Sequence, residues 1–403
     1  MPVRVLNTRR ITLGVTGSIA AYKAVGLASS LHQAGAVVDV AMTGDAQRFV
    51  QPLSFQAITH RPVFADLWAP GMETDIAHVT LGRESDAILI APATAHALAK
   101  LAHGLADDPV SVTALAARGP LVVAPAMDAG MYTHPATAAN LNVLKSRGVV
   151  VVEPEEGHLA SGLVGLGRLA APETIMDVLR ATLGARGDLA GKTIAVTAGG
   201  TQEPIDPVRF ITNRASGKME YALAEAARDR GAHVILITAP TSLRIPAAME
   251  VVPVEQATEM LEALRRVYAR LDALIMAAAI ADFRVADPSQ HKVKRGAEGL
   301  GLKLVPNPDL TLETAAFPTS RRPVRVGFAA ETQDLLGQAR AKLQRKRLDL
   351  IVANDVSNQV FGHDTNQVTL LWADGQREDV PRLPKPEVAE RVLDAVVGLF
   401  GSA

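Results

Sequence analysis

The chain has 403 residues, with 41 Lys+Arg against 42 Asp+Glu, 4% aromatic residues and no cysteine. The balanced charge and scarce aromatics argue against the basic stripe and stacking platform of a nucleic-acid binder. The missing cysteines remove disulfides, thiolate zinc sites and a Cys nucleophile, and they fit a reducing, cytoplasmic compartment.

In chain order, ITLGVTGSIAAYKAVGLASSLHQAGAVVDVAMT (11–43) reads as buried strand, Gly-bearing loop, helix, Gly-Ala turn and second strand. That is a βαβ unit, the opening of a parallel sheet. Further buried strands are predicted at AILIAP (87–92), PLVVAP (120–125) and GVVVVEP (148–154). The Gly-rich stretch LGARGDLAGK (183–192) reads as a hinge and sets the expected domains at 1–185 and 190–403. The βαβ pattern then repeats in KTIAVTAGG…SGKMEYALAEAARDRGAHVILIT (192–238). Strands are predicted again at ALIMAAA (273–279), VRVGFAA (324–330) and DLIVAND (349–355), with a surface loop at ADPSQHKVKRGAEG (286–299). The expected fold is α/β: two doubly wound, Rossmann-like domains with mostly parallel sheets. No secretory signal is read at the N-terminus, and no apolar run approaches the roughly 18 residues of a membrane span. Open parallel sheets bind ligands at the carboxyl ends of their strands, so two separate sites are expected.

In the first half, Gly17 and Ser18 fall where a helix begins, a place whose backbone N–H groups suit a phosphate. The alternative is a tight βα turn with Ser18 as N-cap. Neither half has GxGxxG, which counts against a generic dinucleotide oxidoreductase. The stretches APATAHALAKLAHGLADD (91–108), APAMDAGMYTHPATAANLNVLKSRG (124–148) and EEGHLASGLVGLGRLAAPETI (155–175) follow. Together with the Gly17–Ser18 loop they resemble the homo-oligomeric flavin-containing cysteine decarboxylases over about residues 10–180. The resemblance implies a flavodoxin-like flavoprotein domain holding FMN. The phosphate would sit near Gly17, Ser18 and Thr43, and the ring would be lined by Pro92, Ala93, Thr94 and Ala126. It also implies a catalytic His78, and roles for Asp128 and Ser161. The family carries Asn where this chain has Asp128, and a flap Cys where it has Ser161; His96 also replaces a usual Asn. An ionised Asp128 would repel a substrate carboxylate. Two compensations are open: protonation of Asp128 by burial, or a flap that works through water. His103, His134 and His158 show no metal-ligand spacing and read as structural.

In the second half, TAGGTQEPIDPVRFITNRASGKM (197–219) spends about twenty residues between strand and helix, and loops of that length are more often functional than not. Asn213, Ser216, Gly217 and Lys218 lie just before an Ala-rich helix, a position suited to an anion. Asp282 follows a strand end, where a carboxylate can meet a ribose or Mg²⁺. Lys292 and Lys294 share one side of an extended segment, and Lys342 and Lys346 stand at i,i+4 on a helix. These segments, with AAAIADF, KVKR, VPNPDL, GFAAET, ANDVS and DTNQVTL, resemble phosphopantothenate–cysteine ligase over about 190–400. The two halves in this order resemble the bacterial bifunctional family of coenzyme A synthesis. That implies CTP with Mg²⁺ activating 4′-phosphopantothenate as an acyl-cytidylate, attack by cysteine, then decarboxylation. Asn213 would contact the acyl intermediate, and Lys292 would stabilise departing pyrophosphate. Asp282 would bind CTP and, as the metal candidate, Mg²⁺. Met276, Ala277, Ala278, Pro308, Asp309, Leu310, Thr311, Phe328, Lys342 and Lys346 would contact CTP.

Two alternatives stand beside this reading. One is a ligase whose flavin half serves only as an oligomerisation core; the other is a non-enzymatic regulatory flavoprotein. The resemblance also implies a homo-oligomer, with a trimer-based flavin half, a dimeric ligase half and a possible dodecamer.

Overall fold

The computed structural model describes residues 4–68, 77–295, 300–331, 334–355 and 363–401. The ends of three quoted motifs (Thr332, Val356–Ser357 and 296–299) lie outside these residues. The chain separates into two compact units, Met1–Gly184 and Ala185–Ala403.

In the first unit, β1 (Arg10–Val15), β2 (Val37–Met42), β3 (Val63–Phe64), β4 (Ala87–Ala93), β5 (Leu121–Pro125) and β6 (Val150–Val151) form one parallel sheet. Their order is β3-β2-β1-β4-β5-β6. β4 is apolar without interruption because helices cover both faces of a parallel sheet; β1 is interrupted only by Thr12, whose buried hydroxyl bonds to Ser85 Oγ at 2.6 Å. Ile11, Leu13 and Leu89 pack into one layer, Ile88 and Ile90 into the other. The predicted strand GVVVVEP contributes only Val150 and Val151, at an edge with a partner on one side. A short antiparallel hairpin follows, β7 (Glu155–His158) and β8 (Val164–Arg168).

The second unit repeats the plan. Its parallel strands are β9 (Thr193–Ala198), β12 (His233–Thr238), β13 (Glu250–Pro253), β14 (Ala273–Met276), β17 (Val324–Glu331) and β18 (Leu350–Asp355). Two antiparallel strands, β19 (Thr365–Trp372) and β20 (Arg377–Pro384), extend the edge, giving β13-β12-β9-β14-β17-β18-β19-β20. Two hairpin pairs lie off the sheet: β10 (Gln202–Pro204) with β11 (Phe210–Thr212), and β15 (Phe283–Val285) with β16 (Leu304–Pro306). The predicted strand ALIMAAA stops at Met276. The amides of Ala277 and Ala278 both donate to Thr197 Oγ1, at 3.1 and 3.2 Å, and this peels the chain from the ladder.

In each sheet the strand order reverses beside the first strand, between β1 and β4 and between β9 and β14. Such switch points leave a crevice at the strand ends. No described helix is long and apolar enough to cross a membrane.

Candidate active sites

At the second switch point the glycines of TAGGT have steric reasons. Gly199 sits at φ +77°, and a Cβ there would meet Ala239 O at 2.7 Å. At Gly200 a Cβ would meet Asn213 O at 3.1 Å. The bare backbone can therefore lie against Ala239, just after β12, and against Asn213 of its own loop. Ala279 N–H donates to Gly199 O at 2.9 Å, Thr201 N–H to Ala279 O at 3.2 Å, and Ala281 N–H to Thr201 Oγ1 at 3.0 Å.

These contacts hold the loop after β14, whose Ala278, Ile280, Ala281 and Asp282 form one side of a pocket of about 220 Å³. Ten of the residues assigned to CTP line it: Met276, Ala278, Asp282, Pro308, Asp309, Leu310, Thr311, Phe328, Lys342 and Lys346. They come from distant segments, so the fold, not sequence proximity, gathers them. Asp309 caps the helix Leu310–Ala315, its Oδ1 accepting from Thr311 N–H at 3.1 Å, and its Oδ2 pairs with Lys346 Nζ at 3.0 Å. Ala277 is outside the lining, its N–H spent on Thr197. Ile280, Ala281, Asn307, Gly327, Leu348 and Ile351 join the wall without having been picked out from the sequence. Asn307 stood inside the quoted motif VPNPDL; its Nδ2 donates to Ala281 O at 2.9 Å.

Asn213 is exposed and reaches the pocket wall through the carbonyl of Ile280, to which its Nδ2 donates at 2.9 Å. Of the two lysine pairs, Lys342 and Lys346 line the pocket, and Lys292 and Lys294 do not. The Lys292 segment is instead tied to the long loop by Asp206. That carboxylate accepts from Val208 N–H (2.8 Å), Arg209 N–H (2.9 Å), Arg209 Nε (3.0 Å) and Val293 N–H (3.1 Å). The Arg209 guanidinium, helped by those amides, holds Asp206 far below the usual carboxylate range. The helix after the loop, Lys218–Asp229, takes Gly217 as N-cap, so Ser216 does not cap it. No group of three or more metal-ligating side chains occurs among the described residues, and Asp282 stands there without a cage.

At the first switch point Thr16 joins the two loops. Its Oγ1 donates to Pro92 O at 2.7 Å and accepts from Thr94 N–H at 3.0 Å. Gly17 passes so close to the next βα loop that a Cβ would meet Asp45 Cβ at 2.5 Å. The helix Ala21–Gln33 begins after Ala20, with no side-chain cap and no acidic residue in its first turn. The N-cap reading of Ser18 therefore fails; its Oγ accepts from Ala20 N–H at 3.2 Å instead. Thr43 Oγ1 accepts from Ala46 N–H and Thr94 Oγ1 from Ala97 N–H, both at 3.2 Å. Each hydroxyl proton is left to donate elsewhere.

Ser18, Ala126, Asp128 and Ser161 line one cavity of about 460 Å³, together with Lys23, Arg168 and His158. Burial, with Arg168 nearby, lowers the Lys23 pKa. Both cations were missed in the sequence, though each is a lone cation in an otherwise apolar stretch. His158, read as structural, belongs to this wall. His134 is structural: its Nδ1 accepts from Ala136 N–H at 3.2 Å and caps a helix. Thr43 stands apart in a small recess with Thr16 and Lys100. Pro92, Ala93 and Thr94 close β4 outside the cavity lining, with Ala93 fully buried. His78 lies half-buried in the helix Ala77–Glu84, also outside that lining.

Two of the three departures from the family pattern, Asp128 and Ser161, touch each other. Ser161 Oγ, on the turn between β7 and β8, donates to Asp128 Oδ2 at 2.6 Å, and Gly130 N–H donates to Oδ1 at 3.0 Å. The Ser161 hydroxyl, then that amide, pull the Asp128 pKa below its ordinary value. Asp128 is partly exposed, so burial gives no support to its protonation.

Family models match both units: "Flavoprotein" over residues 3–184 and "DNA/pantothenate metabolism flavoprotein C-terminal domain" over 189–399. The "Coenzyme A biosynthesis bifunctional protein CoaBC" of Bacillus subtilis (strain 168) is 45% identical over 399 residues, 98% of each chain. The protein of that name from Escherichia coli (strain K12) is 43% identical over 397 residues, 97% of each chain. A crystal structure of the C-terminal domain of a CoaBC protein is 37% identical, with TM-score 0.47, covering 54% of this chain and 100% of that one. A match of this identity over nearly the whole length, through both units in the same order, means that the chain belongs to the CoaBC family of coenzyme A biosynthesis bifunctional proteins.

Proposed function

We propose that the chain joins 4′-phosphopantothenate to cysteine at the second switch point and decarboxylates the product at the first. The observation that carries the ligase reading is the pocket beside β14 and β17, where ten residues expected to contact CTP meet around Lys342 and Lys346. The full-length match to bifunctional relatives favours two activities over a ligase with a degenerate flavin half or a regulatory flavoprotein.

In ligation, Lys342 and Lys346 oppose the negative charge of the CTP phosphates, and Asp309 holds Lys346 in place through their ion pair. Mg²⁺ characteristically binds through one or two carboxylates plus substrate phosphates, and Asp282 is the carboxylate offered. Asn213 orients the acyl group from the rim. The 4′-phosphopantothenate carboxylate attacks the α-phosphorus of CTP to form the acyl-cytidylate, and Lys292, anchored through Val293 and Asp206, neutralises the pyrophosphate that leaves. The cysteine amine then attacks the activated carbonyl and CMP leaves.

In the first unit the donor set fits a flavin phosphate: an uncapped helix end, Ser18, and the free hydroxyl protons of Thr43 and Thr94. FMN supplies an electron acceptor when bound. Pro92, Ala93, Thr94 and Ala126 would border its ring. Ser161 and Asp128 keep the β7–β8 flap against the loop after β5. Arg168 and Lys23 offer positive charge to the substrate carboxylate in place of the missing Asn. His78 is the remaining catalytic candidate.

Each unit exposes apolar side chains suited to assembly: Ile19, Tyr22, Leu163 and Val164 in the first, Val208, Phe210 and Phe283 in the second. They support a homo-oligomer, trimeric through the flavin half and dimeric through the ligase half. Substrates of this kind, CTP among them, support a cytoplasmic enzyme. The test of the ligase site is pyrophosphate release on mixing the protein with CTP, Mg²⁺ and 4′-phosphopantothenate. Release that Lys346→Ala weakens at low CTP supports the reading; release indifferent to that change contradicts it.

A further inference from the structure

Arg325 heads the fully buried large side chains among the described residues, at 1% exposure, and it sits inside an apolar strand. On β17 it shares a face with Gly327 and Ala329, because side chains alternate along a strand. Gly327 lines the nucleotide pocket, and a Cβ there would meet Leu348 Cδ1 at 2.5 Å. Arg325 is thus one side-chain step along the same face from the pocket wall.

Each hydrogen bond of its guanidinium goes to an element that builds this pocket. Nη1 donates to Lys346 O at 3.0 Å and to Arg347 O at 3.1 Å, at the C-terminal end of the helix Leu335–Arg345. Nη2 donates to Thr314 Oγ1 at 3.0 Å and to Thr311 O, within the helix Leu310–Ala315. The first helix and its cap bring Lys342 and Lys346; the second brings Thr311, with Asp309 as its cap. The Asp309–Lys346 ion pair spans the same gap.

The arrangement suits a guanidinium and little else. Terminal helix carbonyls carry the negative end of the helix dipole and lack intrahelical donors. A planar fork can serve acceptors in two directions at once, whereas an ammonium is a compact point charge. None of the four acceptors is a carboxylate, and Nε has no partner. Burying such a charge is costly, and desolvation lowers its pKa. An apolar residue would satisfy the strand more cheaply, so packing does not account for Arg325.

We infer that Arg325 is a positioning residue for nucleotide binding: it clamps the end of the helix Leu335–Arg345 to the helix Leu310–Ala315 and fixes the gap between the pocket's cationic and Asp309 walls. The inference rests on reading that pocket as the CTP site.

The test uses the full chain with CTP, Mg²⁺, 4′-phosphopantothenate and cysteine, following pyrophosphate release in Arg325→Met, Arg325→Lys, Thr314→Val and Lys346→Ala. Arg325→Met is expected to raise the KM for CTP about tenfold or more, given the strength of hydrogen bonds from a charged donor. The KM for cysteine stays within about twofold, since every clamp contact goes to an element of the nucleotide pocket. Arg325→Lys recovers only part of the loss, because it can hold one wall. Thr314→Val removes one acceptor and raises the KM for CTP by about two- to threefold, keeping the question open to test if Arg325→Met does not fold. The inference is overturned if Arg325→Met and Thr314→Val leave the KM for CTP unchanged while Lys346→Ala raises it. It is equally overturned if all KM values rise together with a fall in the melting temperature, the mark of a purely structural role. If Lys346→Ala also leaves the KM for CTP unchanged, the nucleotide reading of the pocket falls, and this inference with it.

Discussion

The two switch points start from the same βαβ plan and, on the proposed function, would meet an anion in different ways. After β1 the loop is short, Gly17 is pressed against Asp45, and the helix end is left without a side-chain cap. After β9 the chain runs through a hairpin before its helix, and the cations of the pocket come from another helix altogether. The first design relies on amides and hydroxyls fixed by the sheet. The second assembles separate segments and needs knots to hold them: Asp206 for the Lys292 segment and Asp309 for Lys346. A shared topology thus decides where a ligand goes, while the local chain decides how its charge is met.

The sharpest way to break this contrast is Lys292→Ala. Ligation should fall by about a hundredfold or more, as for loss of a cation that stabilises a leaving group. Decarboxylation of supplied phosphopantothenoylcysteine should be unchanged. Undiminished ligation would remove Lys292 from the chemistry, which its position outside the pocket lining makes a real test.

Gly17→Val probes the first loop. The added side chain collides with Asp45, and overpacking of this kind costs about 1–3 kcal/mol. The purified variant should lose most of its flavin absorbance and keep its ligase rate. Retained flavin would show that the loop does not hold the phosphate.

Asp206→Ala should lower ligase kcat/KM by about tenfold, because it releases the Lys292 segment without removing a charge from the pocket. Asp206 also carries a pH signature. Its folded-state pKa lies below its unfolded value, so its stabilisation is complete above the unfolded carboxylate pKa of about 4 and is lost as pH falls further. The wild-type melting temperature should drop below about pH 4, and the variant should show a shallower drop there; identical profiles would rule out this contribution.

The smallest effect is expected from Asp128→Asn. Removing an ionised carboxylate that faces the substrate carboxylate should lower the KM for phosphopantothenoylcysteine by a few fold. Because the Ser161 hydroxyl and the Gly130 amide shift the Asp128 pKa downward, wild type and variant should share the shape of the pH–rate profile between about pH 5 and 8. A KM that rises would mean that Asp128 helps to hold the substrate.

Much of the fold was legible because strands buried on both faces leave continuous apolar runs, as in LGV, AILIAPA and HVILIT. The β19–β20 hairpin was not, since the edge strand REDVPRLP has no long apolar run and carries two prolines. The pocket residues were legible through motifs, and their gathering follows from the topology. What remained hidden depends on contacts across long sequence separations. Asp206 meets Val293 from 87 residues away, and the Ser161–Asp128 bond spans 33. Arg325 was visible only as a charge inside an apolar run, and its partners Thr314 and Lys346 come from either side of it in the chain.

The central claim, that both units are active in one chain, is tested most directly by mass spectrometry of a single reaction. The purified protein is mixed with 4′-phosphopantothenate, cysteine, CTP and Mg²⁺, and the accumulating product is identified. The account predicts phosphopantetheine, the product of ligation followed by decarboxylation. Phosphopantothenoylcysteine that accumulates and goes no further would contradict it, leaving a ligase beside a flavoprotein unit whose Asp128 and Ser161 no longer support the second step.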